Sequence, residues 1–100
     1  MARQLIWTER AQKERIEIFS FWNIRNKSVI YSKKLNEFIK ESLALISKYP
    51  LIGRLTNKEN VRVKVLKEYL IIYEITINEI VVLSIWDCRQ NPEDLKRIME

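Results

Sequence analysis

The sequence predicts an α+β domain in which a helical hairpin packs on one face of a small, mostly antiparallel sheet. Three observations predict it. Residues 61–87, VRVKVLKEYLIIYEITINEIVVLSIWD, hold three strand-like runs separated only by short polar breaks. Breaks of that length permit hairpins and no crossover, so the three runs meander antiparallel. Between residues 9 and 49 the apolar period becomes helical, twice, with a short join. Finally, 100 residues with 47% hydrophobic content and a single glycine make one ordered domain, residues 1–100, with one core. Two adjacent amphipathic helices have to bury their stripes, and the sheet is the surface available.

Arg3 to Trp7 reads as a short strand, with Leu5 and Trp7 on one face, too short to stand alone and so expected beside the meander. Thr8 follows as an N-cap, with Glu9 suited to a first helical turn. From Glu9 to about Arg25, Ala11, Ile18, Phe19, Phe21 and Trp22 gather into a wide stripe. Arg15 projects from its middle, its stem expected to cover apolar surface while its head stays in water. Asn23 to Ser28 carries the break, and Ser28 is the expected cap of a second helix, Val29 to Tyr49. There Tyr31, Leu35, Phe38, Ile39, Ser42, Leu45, Ile46 and Tyr49 form the inward arc, and Pro50 stops the helix. Leu51 to Asn60 is a loop; its Gly53 is expected to hold a backbone conformation closed to other residues, and Arg54 to be free for a partner.

In the meander, Val61, Val63 and Val65 alternate with Arg62 and Lys64, as in a strand with one wet face. Tyr69 to Ile75 is apolar on both faces except at Glu74, which suits a central strand. Thr76 to Glu79 turns the chain, with Asn78 tolerant of a left-handed backbone, and Ile80 to Trp86 is again apolar on both faces. Asn91 as N-cap, Pro92, then Glu93 and Asp94 before Lys96 and Arg97 predict a short C-terminal helix, with Leu95, Ile98 and Met99 as its apolar side.

If the three valines face the helices, Arg62 and Lys64 face away. Leu70, Ile72 and Glu74, or else Tyr69, Ile71, Tyr73 and Ile75, then accompany them. On the last strand the choice lies between Val82, Ser84 and Trp86 and the set Val81, Leu83 and Ile85. Every choice leaves large apolar groups on a face the helices do not cover, rimmed by Arg62, Lys64 and Arg89. Such a face is a binding surface, or it is buried by the terminal helix or in a dimer.

Composition narrows the chemistry. Cys88 is the lone cysteine, which rules out an intramolecular disulfide and a cysteine-based metal site and fits a reducing cytoplasm. Histidine is absent, which removes the commonest general base, histidine-activated nucleophiles and nearly all zinc sites. We therefore expect no metal, no cofactor and no small-molecule substrate, and read Cys88 as a small strand-end residue rather than a nucleophile. No 18-residue apolar run or signal-peptide pattern occurs, so neither a membrane span nor secretion is expected. The net charge of +5 and pI near 9.5 favour nucleic acid, anionic substrates or an acidic protein, unless they serve solubility alone.

Several stretches, taken in order, resemble the RelE/ParE superfamily of bacterial toxins: IWTERAQKE, the loop Ile52 to Arg54, VRVKV, YLIIYEI and, above all, IWDCRQNPEDL at Ile85 to Leu95. The resemblance covers nearly the whole chain. It implies a growth-inhibiting toxin of a type II toxin–antitoxin pair, neutralised by a cognate antitoxin whose extended or helical segment lies over the uncovered sheet face. Arg54, Leu70, Ile72 and Trp86 are the residues expected to meet it. RelE-like members cut mRNA on the ribosome with cationic side chains, and Arg62, Lys64 and Arg89 would be the catalytic candidates. Leu70, however, stands where that branch has an arginine, no tyrosine follows Tyr73 and no histidine occurs anywhere. ParE-like members inhibit DNA gyrase by protein–protein contact and need no such set. The ParE-like reading therefore accounts for the missing residues, with a RelE-like ribosome-dependent nuclease as the alternative and an inactive binding module as a remote third.

Overall fold

The computed structural model describes residues 2–90 together with Pro92, Glu93 and Leu95. The elements are β1 (Gln4–Trp7), α1 (Glu9–Asn26), α2 (Ile30–Lys48), a 3-10 turn (Pro50–Ile52), β2 (Arg54–Leu55), β3 (Val61–Leu66), β4 (Tyr69–Ile75) and β5 (Glu79–Asp87). They form a five-stranded sheet in the order β1-β5-β4-β3-β2 with the helical hairpin on one face, the expected α+β arrangement. Only β1 and β5 run parallel, because the chain leaves β1 through the helices and re-enters the sheet elsewhere. The two-residue β2 and the 3-10 turn lie inside the stretch expected to be a loop.

Local signals shape the helix ends. Thr8 caps α1: its Oγ1 accepts from the Ala11 amide at 3.1 Å and donates to the Val82 carbonyl at 3.0 Å, tying the helix start to β5. Lys27 closes α1 in the left-handed region, its amide bonding to the Asn23 carbonyl. Ser28 is not the cap of α2. Val29 occupies that position without a side-chain bond, and Ser28 Oγ accepts only from the Ile30 amide.

The buried stripe of α2 comprises Ser32, Leu35, Ile39, Leu43, Ile46 and Ser47. It is rotated by roughly a quarter turn from the arc the sequence suggested. Phe38, Leu45 and Tyr49 are thereby left on an exposed flank, because the apolar arc is wider than the face the sheet can cover. Ser47 sits inside because it meets β1: its Oγ donates to the Arg3 carbonyl, and the Arg3 amide donates back to the Ser47 carbonyl at 3.1 Å.

Two cores sandwich the sheet. On the helix side Tyr69, Ile71, Tyr73, Ile80, Val82 and Ile85 pack against Ala11, Ile18, Leu35, Ile39, Leu43 and Ile46. On the opposite face Val61, Val63, Ile72 and Trp86 pack with Leu70, Leu83 and Leu95. The valines of β3 therefore face away from the helices, the reverse of the premise above. Arg62 pairs with Tyr73 and Lys64 with Ile71, which sets both cations on the helix side. On β5 neither alternating set survives whole. A register shift opposite Ile72 and Tyr73 inserts one residue, so Val82 and Ile85 share the helix side while Leu83 and Trp86 share the other.

Gly53 does not hold a special backbone conformation: its φ of −74° and ψ of 163° are extended. It is glycine for space, because a Cβ would lie 2.9 Å from Tyr73 Cε1 and closer still to Tyr73 Oη. Among the described residues, Lys27, Asn60 and Lys67 take positive φ, and Asn78 does not. Pro92, Glu93 and Leu95 are helical, in keeping with the expected terminal helix; Asn91, Asp94, Lys96, Arg97, Ile98 and Met99 lie outside the described residues.

Tyr73 Oη accepts from the Gly53 amide at 2.9 Å and donates to the Pro50 carbonyl at 2.7 Å. Tyr73→Phe leaves both backbone groups without that partner and should cost about 1–3 kcal/mol in urea unfolding. Amide exchange should accelerate selectively over residues 51–55.

Candidate functional site

The sheet face opposite the helices brings Leu70, Ile72 and Trp86 together, without the Arg62 and Lys64 that the sequence reading placed beside them. Leu70 lies opposite both Val65 and Trp86, and Ile72 opposite Val63. Ile72 is 0% exposed and Trp86 3% exposed, and Leu95 packs on their cluster. Of the occupants considered, a residue of the chain's own terminal segment is therefore in place, and Leu70 at the margin is the partly open member.

The three cationic candidates do not converge. Arg62 Nη1 donates to the carbonyls of Gly53 at 2.8 Å and Leu51 at 3.2 Å, so this guanidinium holds the turn after α2. Lys64 lies beside it on the same face of β3. Arg89 lies toward the Tyr69 end of β4, about 13 Å along the strand from Tyr73 and Arg62. It forms a two-point ion pair with Asp87, at 2.7 Å (Nη2–Oδ2) and 3.0 Å (Nε–Oδ1). Its guanidinium stands 5.2 Å from the ring centre of Phe21 and 5.7 Å from that of Trp22. The hydrogen bonds from Arg89 hold the Asp87 carboxyl below its ordinary range, and Asp87 in turn raises Arg89. Two of the three cations are thus engaged by the fold itself.

Around Arg89 a cleft of about 440 Å³ is lined by Glu14, Ile18, Phe21, Tyr69, Asp87 and other residues. Glu14 Oε1 accepts from Ser84 Oγ at 2.8 Å and lies 3.7 Å from Arg10 Nε. Burial raises the Glu14 carboxyl above the usual glutamate range, with Ser84 and Arg10 opposing that rise. Tyr69 Oη accepts from Trp22 Nε1 at 2.6 Å, and burial pushes its phenol upward. Cys88 is also raised, by burial and then by Asp87 and Glu68, which keeps it a thiol rather than a nucleophilic thiolate. Among the described residues no group of three or more His, Cys, Asp or Glu could hold a metal ion. Sequence reasoning passed over Glu14, although Ala11, Glu14 and Ile18 share a helix face. The Arg15 guanidinium lies 4.4 Å over the Trp7 ring.

The family model described as "ParE toxin of type II toxin-antitoxin system, parDE" matches residues 5–92. The chain belongs to the ParE toxin family. Among solved structures it is similar to "Chromosomal ParDE TA system from P. aeruginosa", with a TM-score of 0.73 and 19% identity, over 86% of this chain and 96% of that one. At that identity the likeness concerns the fold. No curated protein matches the sequence.

In this ParE-family toxin, Arg54 opens β2, is exposed, and pairs with Val63 at the sheet margin. No helix among the described residues is long and apolar enough to cross a membrane. The raised Glu14 carboxyl has a stability consequence. Its contribution is greatest below the unfolded pKa of about 4.5 and is lost as pH rises through the higher folded value. Glu14→Gln should therefore raise the melting temperature at pH 7 relative to the parent, and the gain should vanish at pH 4.

Proposed function

We propose that this toxin arrests growth by protein–protein contact with DNA gyrase, without catalysis, and that a cognate antitoxin neutralises it. The observation that carries the reading is the dispersal of the cations. Arg62 and Lys64 lie on the opposite face of the sheet from Leu70 and Trp86, and Arg62 and Arg89 are bound to the chain's own oxygens. A nuclease that must neutralise a phosphate in its transition state needs such groups aimed at one point. Protein contact requires instead presented apolar surface, and the far end of the helical hairpin carries Ile24, Val29 and Ile30 exposed. The resemblance to ParE-like members supports gyrase as the target. Arg54 and Leu70 are the members of the expected antitoxin contact that remain accessible, with Ile72 and Trp86 behind them.

Pulse labelling after induction of the toxin alone tests this reading. Thymidine incorporation should fall promptly while amino-acid incorporation continues, and Lys64→Ala combined with Arg89→Ala should leave the arrest in place. Prompt loss of amino-acid incorporation, abolished in that folded double variant, would transfer the protein to the RelE-like nucleases. No effect on either label would leave the inert module.

A further inference from the structure

We propose that the tip of the helical hairpin is the part of the toxin that enters its target, and that the target surface it fits is acidic around an apolar recess. This rests on the protein-contact reading above and specifies the chemistry on both sides of that contact. The tip comprises the last turn of α1, the join from Lys27 to Val29 and the start of α2. There Ile24 is 77% exposed and Ile30 65%, with Val29 about half exposed between them in the chain. Arg25, Lys27, Lys33 and Lys34 stand around them, all exposed. Residues 18–36 contain no Asp or Glu, so these cations lie in a stretch without a compensating charge. Among the described residues none of the four forms an ion pair.

Helix energetics do not account for this composition. The start of a helix is stabilised by a capping side chain and by carboxylates in its first turn. Val29 holds the cap position of α2 with no side-chain bond, no acid follows in the first turn, and Lys33 and Lys34 come close behind. Lys27 closes α1 at a φ of 51°, a left-handed conformation that glycine adopts at less cost. Three local preferences are given up at one end of one hairpin, and what is gained lies outside the fold: aliphatic groups and cations held out in water. Complementarity then describes the partner. Cations without counter-charges draw a surface bearing Asp and Glu, and the branched aliphatic groups need an apolar recess to leave water. Nucleic acid would satisfy the cations alone, because Ile24, Val29 and Ile30 offer bases neither stacking nor hydrogen bonds. A second copy laid tip to tip would bring like charges together.

The test is binding of the full chain to purified DNA gyrase, with the melting temperature and binding to the cognate antitoxin measured on every variant. Val29→Asp supplies the missing cap and Lys27→Gly relieves the left-handed lysine, so both should melt at or above the parent temperature. Val29→Asp and Ile24→Glu should nonetheless weaken gyrase binding about tenfold or more, and Lys27→Gly about threefold, with the antitoxin complex unchanged. Ile77→Glu, in the exposed turn before β5, should leave both complexes as they are. Parent-like gyrase binding in Val29→Asp and Ile24→Glu would overturn the tip assignment and leave the gyrase reading standing. A parent chain that does not bind gyrase would overturn both. Loss of the antitoxin complex in the same folded variants would give the tip to the antitoxin. Binding to an unrelated DNA duplex that these variants abolish would give it to nucleic acid, and a dimer in sedimentation that Ile24→Glu dissolves would give it to a second copy; each of these would overturn the acidic target surface.

Discussion

The rest of the structure depends on the direction in which β4 points Tyr69, Ile71 and Tyr73. These three enter the helix-side core, each fully buried or nearly so, and the pairing of β3 and β5 with β4 then leaves no freedom. Val61 and Val63 must go to the far face with Ile72, and Arg62 and Lys64 must come to the helix face. A slip of one residue would exchange every one of these assignments, burying two cations where valines now pack.

The two tyrosines do further work at the ends of the strand, because a phenol pushed into a core carries a polar group that requires partners. Tyr69 receives the indole hydrogen bond of Trp22 and so clamps the end of α1 over the sheet. Tyr73 reaches the turn after α2, where it meets the Gly53 amide and the Pro50 carbonyl while Arg62 takes the Gly53 and Leu51 carbonyls. That turn is held at both its donors and its acceptors, which fixes the start of β2 and hence how far the sheet edge is covered.

The same frame separates charge from chemistry. The chain is strongly basic, yet Arg62 and Arg89 are turned toward its own carbonyls and carboxylate. Its apolar surface is displayed along the α2 flank, at the hairpin end and on residues 51–55. This combination of guanidiniums engaged within the fold and apolar groups left outside is what supports the proposed contact with a protein partner.

Some of this was legible in the sequence because its causes are local. The strands of the meander follow from period-two patterning and short breaks, and the start of α1 from one threonine whose hydroxyl reaches an amide three residues on. Other features have causes distant in the chain. Gly53 is required by a tyrosine twenty residues away, so only the folded chain reveals that space rather than backbone angle selects it. The α2 stripe was misplaced because its apolar arc exceeds what one sheet can bury. The scatter of Arg62, Lys64 and Arg89 could not be foreseen for a related reason: β4 is apolar on both faces, so periodicity alone cannot orient it. The sequence by itself determined the two helices, the four longer strands, their order and the α+β class, since those follow from neighbouring residues. Only the tertiary structure decided which face each side chain serves, because that choice is made by the volume of three large side chains against two helices.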